Sequence, residues 1–115
     1  MILTDADIAR LSPADAVAAM RGAVLAAHRG ELVAPPRAVL DVGGSELKIT
    51  AGRTGRWLGF RSYCTGELDA AEQLVVLQDV TTGRLSAVGV GELLGQYRTG
   101  ALGAVAVDAM ARPDA

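Results

Sequence analysis

The fold is decided by residues 46–90, which read ELKITAGRTGRWLGFRSYCTGELDAAEQLVVLQDVTTGRLSAVGV. Short runs rich in Val, Ile and Leu alternate here with glycine-containing turns, and one earlier run follows a proline pair. Runs of this length, joined by tight glycine turns, are typical of an antiparallel meander. We therefore expect a sheet of about five to six strands. The runs are Arg37–Val42, Glu46–Thr50, Trp57–Tyr63, Glu72–Val80 and Arg84–Val90, and the turns between them include Gly43-Gly44-Ser45, Gly52–Arg56 and Thr81-Thr82-Gly83.

Helical signals precede this sheet. Thr4 is a suitable N-cap for a short turn over Asp5–Arg10. The pair Ser12-Pro13 opens a longer helix, because serine caps well and proline fits the first turn without losing a hydrogen bond. Gly30 is a C-terminal stop signal for that helix.

Helical character returns after Gly91 and continues to Met110, and Pro113 is expected to end it. The order helix, sheet, helix predicts an α+β fold with an Ala/Gly-rich C-terminal helix, and excludes an alternating βαβ pattern. We expect one domain over residues 1–115.

The composition predicts a thin core. Half of the 115 residues are hydrophobic, but only 3% are aromatic, and alanine supplies much of the apolar share. Small side chains bury little area each, so an isolated monomer gains little from its core. We therefore expect a partner surface, and most simply a homodimer.

Charge and cysteine usage exclude several classes. The formal net charge of −2 argues against nucleic acid as a partner. A single Cys64 and a single His28 allow neither an internal disulfide nor a zinc cluster, so no metal site is expected. The beginning lacks the pattern of a signal peptide, and no run reaches the ~18 apolar residues that span a bilayer. We expect a cytoplasmic protein without membrane contact.

One motif imitates a nucleotide site. Gly89–Gly95 follows a predicted strand and opens a helix, as a dinucleotide-binding loop does. That loop also requires a second parallel strand about 20 residues further on, which this sequence does not provide. We therefore expect packing glycines, and no cofactor held by this chain alone.

Two arginines of the sheet region are candidates for anion binding. Arg61 lies in mid-strand, and alternation places it on one face with Trp57, Gly59 and Tyr63. A guanidinium beside aromatic rings and a glycine gap can hold a small carboxylate through two parallel hydrogen bonds. Arg37 starts a strand after the proline pair. The alternative for Arg61 is a solvated arginine on a half-exposed sheet.

Arg98-Thr99 is a third candidate. Gly95 and Gly100 would interrupt the last helix, and a new helix beginning at Thr99 would bind an anion at its N-terminus. A surface arginine at a kink is the alternative. Cys64 has no evident base nearby in sequence, so we expect no catalytic residue.

Five short stretches occur in the order found in ornithine cyclodeaminases and mu-crystallins. They are Ile2–Ile8, Ala34–Arg37, Leu58–Arg61, Leu77–Gly83 and Tyr97–Ala101. The tail Met110–Ala115 looks like the segment that leads into the NAD-binding Rossmann domain of that family. The sequence thus resembles the N-terminal substrate-binding and dimerisation domain of the family, with the Rossmann domain absent.

The resemblance implies roles for individual residues. The family comprises homodimeric NAD(P)-dependent enzymes that act on amino acids, and sheets of their N-terminal domains pack across the dimer. Arg37 matches the family arginine that contacts the substrate carboxylate, and Arg61 is expected to join it. Arg98 and Thr99 match the Leu-Arg-Thr motif that faces cofactor and substrate, so they would bind NAD(P) only if a Rossmann partner is present.

Departures from the family pattern change the expected activity. Arg61 stands where the family has its catalytic lysine, and a permanently protonated arginine cannot exchange a proton. Ala70 stands where a family threonine contacts the nicotinamide. We therefore expect a stand-alone dimeric module that binds an amino-acid-like or keto-acid-like anion, without NAD-dependent activity of its own.

Two alternatives remain open. The chain could be the substrate-domain component of a split NAD(P)-dependent cyclodeaminase or ketimine reductase, completed by a separate Rossmann subunit. It could also be a repurposed scaffold whose arginines contact only solvent.

Overall fold

The computed structural model describes residues 1–111 and contains three helices and seven strands within them. The helices are α1 (Asp5–Ile8), α2 (Pro13–His28) and α3 (Leu93–Met110). The strands are β1 (Ile2–Leu3), β2 (Leu32–Val33), β3 (Ala38–Asp41), β4 (Glu46–Thr54), β5 (Trp57–Thr65), β6 (Gln73–Asp79) and β7 (Leu85–Gly91). The predicted α+β fold is confirmed.

The sheet has the order β1-β7-β6-β5-β4-β2, and β3 also pairs with β4. The neighbours from β4 to β7 are antiparallel, as the glycine-turn pattern predicted. At one edge β1 lies parallel to β7. The two-residue strands β1 and β2 were not predicted, because two residues are too few to show an alternating pattern.

The turn between β4 and β5 is shorter than predicted. β4 continues through Gly52 to Thr54, and the connection is only Gly55-Arg56, where Gly55 has φ +56°. Gly52 stays in the strand because β2 pairs beside it: the Val33 carbonyl oxygen lies 3.6 Å from where a Cβ of Gly52 would be.

The first two helices begin, and α2 ends, where the sequence indicated, whereas α1 ends at Ile8, two residues before the predicted Arg10. The Thr4 backbone N–H donates to the Asp7 carboxylate at 2.8 Å, and this bond, with one from the Thr4 hydroxyl, lowers the pKa of Asp7. Ser12 Oγ accepts a hydrogen bond from the Asp15 N–H at the start of α2. Gly30, with φ +73°, follows the end of α2.

The prediction of a second helix beginning at Thr99 is wrong. α3 runs without interruption from Leu93 to Met110 and includes Gly95 and Gly100. A glycine inside a helix costs about 1 kcal/mol, and packing of α3 against α2 and α1 offsets such a cost. The predicted end at Pro113 lies outside the described residues.

The two faces of the sheet differ in what covers them. α1 and α3 lie over one face, which we call the helical face, where Ile8 and Leu94 share a cavity with Val75 and Gly89. α2 packs against α3 on the same side. The opposite face, which we call the open face, carries Leu40, Ile49, Phe60, Leu74, Val76, Val88 and Val90 by strand alternation.

The core is as thin as the composition predicted. Among residues 1–111 the buried hydrophobic residues are Ile8, Ala16, Val76 and Ala101. Large apolar side chains remain exposed on the open face: Phe60 by 37%, Leu74 by 38% and Val90 by 46%. In the described part of the chain, no helix combines the length and the apolar character that crossing a bilayer demands.

Candidate functional site

One row of residues crosses the helical face of the sheet. Its members lie directly opposite one another on neighbouring strands, so their side chains emerge on the same side. The row consists of Thr50, Arg61, Val75 and Gly89. It places the charged end of Arg61 under α3 instead of on the open face.

Arg37 joins this row from the edge. It directly precedes β3, whose first residue Ala38 pairs with Ile49, so Arg37 stands level with Thr50. Neighbouring strands are about 4.8 Å apart, which separates the backbones of Arg37 and Arg61 by about 10 Å. Two extended arginine side chains can meet over such a distance.

The structure places Arg37, Arg61 and Arg98 around one cavity of about 340 Å³. Arg98 reaches it from α3, and the other two reach it from the sheet. Gly52 and Gly59 also line the cavity, and the absence of their side chains leaves the space between the arginines open. Arg37 and Arg98 are exposed, and Arg61 is half-buried, so the cavity is accessible from solvent.

Thr99 belongs to a neighbouring space. It lines a second cavity together with Arg61, Glu92 and Gly100. Arg61 is thus shared by the two cavities, whereas Arg98 and Thr99, consecutive on α3, lie on different ones.

The environment of Arg61 agrees with the alternation argument. Its guanidinium carbon lies 4.8 Å from the centroid of the Tyr63 ring, which is within the range of a cation–π contact. Trp57, expected beside Arg61, instead pairs with Arg56 at 5.0 Å. The Tyr63 ring therefore holds Arg61 in place while leaving its N–H donors available.

The cavity carries positive charge that the described residues do not neutralise. Within residues 1–111 the ion pairs are Arg21–Asp108, Lys48–Glu46 and Arg56–Asp79, and none involves an arginine of the cavity. Glu92, on the neighbouring cavity, already accepts a hydrogen bond from the Ala71 N–H at 2.6 Å. A site lined by charge of one sign concentrates counter-ions, here anions.

The N-terminus of α3 is closed to a phosphate group. The Asp5 carboxylate accepts hydrogen bonds from the backbone N–H of Leu93 at 2.9 Å and of Glu92 at 3.2 Å. These N–H groups are the ones a pyrophosphate would use at a dinucleotide-binding helix. Gly91 has φ +144°, and a Cβ there would collide with Asp5. The glycines are packing glycines, as predicted.

Gln73 is a residue of this region that the sequence did not single out. It lines both arginine cavities and the apolar cavity beneath α1. Its Oε1 is buried and has no hydrogen-bond partner among the described residues, and its amide lies about 3.0 Å from where a Cβ of Gly95 would be. A lone glutamine in an apolar strand gives no signal of its partners.

Asp79 was also missed, and its role is structural. It is buried and accepts hydrogen bonds from Arg56 Nε at 3.1 Å and from the Thr81 N–H at 2.9 Å. The Arg56 guanidinium, followed by the Thr81 hydroxyl, holds the pKa of Asp79 well below its usual value. Aspartate two residues before threonine is typical of a side-chain-stabilised turn, and this signal was available in the sequence.

Two other residues considered in the sequence, His28 and Cys64, do not line the arginine cavity. His28 ends α2, and Cys64 is an exposed thiol. Among residues 1–111, no group of three or more His, Cys, Asp and Glu side chains is arranged to hold a metal ion.

Comparison with known proteins finds a likeness to one family. The sequence profile of the ornithine cyclodeaminase/mu-crystallin family matches residues 59–115. A comparison of the sequence with curated proteins found no match.

Solved structures extend the likeness to nearly the whole chain. A probable ornithine cyclodeaminase from Bordetella pertussis Tohama I is 25% identical, with a TM-score of 0.90 over 98% of this chain. An archaeal alanine dehydrogenase dimer with bound NAD is 24% identical, with a TM-score of 0.88 over 97% of it. The Thermococcus litoralis Δ1-pyrroline-2-carboxylate reductase, in complex with NADH and L-proline, is 21% identical, with a TM-score of 0.90 over 99%.

The last two structures, below 25% identity, show the fold alone. The chain spans 37% of the length of the Bordetella and alanine dehydrogenase chains and 39% of the Thermococcus chain. The likeness therefore concerns part of each of these proteins. In sequence over residues 59–115 and in fold over nearly its whole length, the chain is similar to the ornithine cyclodeaminase/mu-crystallin family.

Proposed function

We propose that residues 1–115 are a substrate-binding and dimerisation domain that binds a small amino-acid or keto-acid anion through Arg37 and Arg61. The observation that carries the proposal is the cavity where three arginines meet without a carboxylate partner in the described residues. Guanidinium groups bind carboxylates through paired, charge-assisted hydrogen bonds, so a carboxylate is the natural occupant.

The related structures support a carboxylate of amino-acid type. One of them is described in complex with L-proline, and another is named an alanine dehydrogenase. Proline and alanine, the amino acids in these two descriptions, both carry an α-carboxylate next to an amino group. Arg37 and Arg61 are suited to bind that carboxylate in this chain.

The open face supports a homodimer. Its central position, Val76, is buried between Phe60 and Val88, while Phe60, Leu74 and Val90 around it stay exposed. A contiguous apolar surface of this kind marks an interaction site. In a two-fold dimer the same surface meets its own copy, and one of the related structures is described as a dimer.

The chain by itself is proposed to have no NAD-dependent activity. Arg61 stays protonated and cannot accept the proton that a catalytic lysine exchanges. The helix N-terminus most like a nucleotide site is occupied by Asp5. The described residues thus do not fit a dinucleotide held by this chain alone.

A second candidate function is that of a component in an NAD(P)-dependent enzyme, completed by a Rossmann domain or a separate Rossmann subunit. It is favoured by exposed apolar side chains on α3, where Leu102 is 39%, Val107 64% and Met110 78% exposed. Arg98 and Thr99 lie exposed on the same helix and would face the cofactor, which would supply or accept hydride.

We place the domain in the cytoplasm. Cys64 is exposed and without a disulfide partner, and such a thiol suits a reducing compartment.

The test of anion binding is calorimetric titration of the full chain with L-2-aminobutyrate at low ionic strength. Arg37→Gln and Arg61→Gln are each expected to weaken binding about tenfold or more, since hydrogen bonds to charged groups contribute about 1.5–3 kcal/mol. Arg84→Gln, which removes an exposed arginine from the β6–β7 turn, is the control and should bind like the unaltered chain. Equal affinity in all four proteins, or no binding in any, contradicts the proposal.

The two candidate functions are separated by turnover. The purified chain is expected to leave NADH absorbance unchanged in the presence of a cyclic imino acid such as Δ1-pyrroline-2-carboxylate. Oxidation of NADH by the chain alone contradicts the first function. Oxidation only after addition of a Rossmann subunit, with co-elution of the two, establishes the second.

A further inference from the structure

The apolar cavity beneath α1 has a chemistry different from that of the arginine cavity. It lies between α1, the strands β6 and β7 and the start of α3, and its volume is about 290 Å³. Its lining is mainly aliphatic, with side chains from Leu3, Ile8, Leu11, Val75, Leu77, Ala87 and Leu94. The side chains of residues 1–111 leave this space unfilled.

The two polar residues of the lining offer no free charge to a ligand. The Asp5 carboxylate is engaged, because it accepts hydrogen bonds from the Leu93 N–H at 2.9 Å and the Glu92 N–H at 3.2 Å. Gln73 is neutral, and its amide nitrogen lies 3.0 Å from where a Cβ of Gly95 would be. A charged ligand would lose its hydration here without gaining a partner, which is strongly unfavourable.

The apolar cavity is open to solvent on one side. Leu11 and Leu77 belong to its lining and are still 38% and 36% exposed. Water in contact with aliphatic groups is released when a hydrophobic molecule takes its place, and this release favours binding. The cavity adjoins the arginine cavity through Gln73, Val75 and Leu94, but within residues 1–111 no arginine lines it. The two cavities therefore suit different ligands.

We propose that the apolar cavity beneath α1 binds a small, uncharged hydrophobic molecule. An apolar cavity of about 150 Å³ holds one benzene molecule. A volume of about 290 Å³ therefore accommodates a substituted benzene ring or a short aliphatic chain. Such a molecule contacts Ile8 of α1, Leu77 of the sheet and Leu94 of α3 together, and so stabilises the packing of a helix that has only four residues. The proposal depends neither on anion binding nor on the dimer.

The test is thermal unfolding of the full chain with p-xylene, a benzene ring with two methyl groups. A ligand that binds only the folded chain raises the unfolding temperature. Near the solubility limit of p-xylene, the expected rise is roughly 2–4 °C. 4-Methylbenzylamine has the same ring and carries a protonated amino group on one methyl carbon, and at equal concentration it should give no rise. The absence of a rise with p-xylene, or an equal rise with the amine, overturns the proposal.

A matched pair of variants locates the binding. Ala87→Leu places a larger side chain in the cavity and should abolish the effect of p-xylene. Ala19→Leu adds the same group to the exposed surface of α2, outside the cavity, and should retain the full effect. If the effect survives Ala87→Leu, p-xylene binds elsewhere, for example on the open face, and the proposal is overturned.

A third variant keeps the test decisive if Ala87→Leu does not fold. Leu11→Ser shortens a partly exposed side chain at the opening of the cavity, so the fold should be retained, as cooperative unfolding would verify. Because the ligand loses an aliphatic contact, its dissociation constant, measured by calorimetric titration, should rise roughly threefold or more. An unchanged affinity of folded Leu11→Ser for p-xylene contradicts the proposal.

Discussion

The two faces of this sheet are built from the same strands but differ in polarity and in what covers them. The helical face is polar at its centre: Thr50, Arg61 and Gln73 lie beneath α3 at the edge of a cavity. The open face presents Phe60, Leu74 and similar side chains to solvent. Because side chains alternate along each strand, Phe60 and Arg61 are chain neighbours that serve opposite surfaces.

This difference shows how a thin core can still specify a fold. The buried hydrophobic set in the described residues is small, and the dimer contact proposed for the open face would add to the stabilisation. The helical face can then keep an open, charged cavity. We infer that assembly on one face stabilises the sheet that carries a site on the other.

The largest effect is expected from a charge on the open face. Phe60→Glu would place an unpaired carboxylate in the proposed dimer interface, at a cost of about 3–5 kcal/mol per copy. Sedimentation should show a dimer for the unaltered chain and a monomer for the variant. Val39→Glu is the control, because Val39 is 52% exposed but pairs with Lys48 and shares the helical side of the sheet. A dimer that survives Phe60→Glu, or dissociates equally with Val39→Glu, contradicts the assignment of the two faces.

A smaller effect, confined to the helical face, is expected from Asp5→Ala. The substitution removes the acceptor for two backbone N–H groups of α3, and loss of a helix cap costs about 0.5–2 kcal/mol. Denaturant unfolding should show the loss, and the dimer should persist. Asp7→Ala, which removes only the local cap of the four-residue α1, is expected to cost less. Equal losses of unfolding free energy for the two variants would mean that the hydrogen bonds from α3 to Asp5 stabilise the chain no more than the local cap of α1 does.

Alanine substitutions at two glycines of α3 test the contact between this helix and Gln73. Gly100→Ala meets no atom within 4 Å and should raise stability by up to about 1 kcal/mol through helix propensity. Gly95→Ala places a methyl group 3.0 Å from the Gln73 amide nitrogen, so the glutamine must move and the gain should disappear. Thermal unfolding of both variants measures the difference. An equal gain from both would show that Gln73 does not pack on Gly95 as described.

The last expected effect concerns how the free energy of unfolding changes in acid. The pKa of Asp79 is lower in the folded chain than its unfolded value of about 3.9, so the ion pair with Arg56 contributes above that value. The contribution is lost as the pH falls through the unfolded value toward the folded one. Unfolding free energy should therefore fall with acid more steeply in the unaltered chain than in Asp79→Asn. Glu31→Gln, which removes an exposed carboxylate, should show the same change of unfolding free energy with pH as the unaltered chain. Identical curves for all three proteins would contradict the proposed role of Asp79.

Local patterns predicted most of the fold. Ser12-Pro13 and Gly30 delimit α2, and the glycine turns delimit the meander, because these residues act within a few positions of themselves. The continuity of α3 could not be predicted in this way. Its support comes from Asp5, 87 residues away from Glu92 in the chain, and no local signal announces such a contact.

The site was predictable in part. Alternation placed Arg61 beside Tyr63, and the proline pair fixed Arg37 at the head of a strand. Arg98 was identified by its match to the family's Leu-Arg-Thr motif and by a helix start that does not exist, and it reaches the cavity because the unbroken α3 covers the sheet. The distance between a helix and a sheet is a tertiary property, so the meeting of three arginines needed the structure.

The most direct test of the central claim is a crystal structure of the full chain grown with L-2-aminobutyrate. The account predicts the ligand carboxylate within hydrogen-bond distance of Arg37 and Arg61 on the helical face, and a two-fold copy of the chain packed on Phe60 and Leu74. A ligand bound elsewhere, or a second copy covering the arginine cavity while the open face stays in solvent, would contradict it.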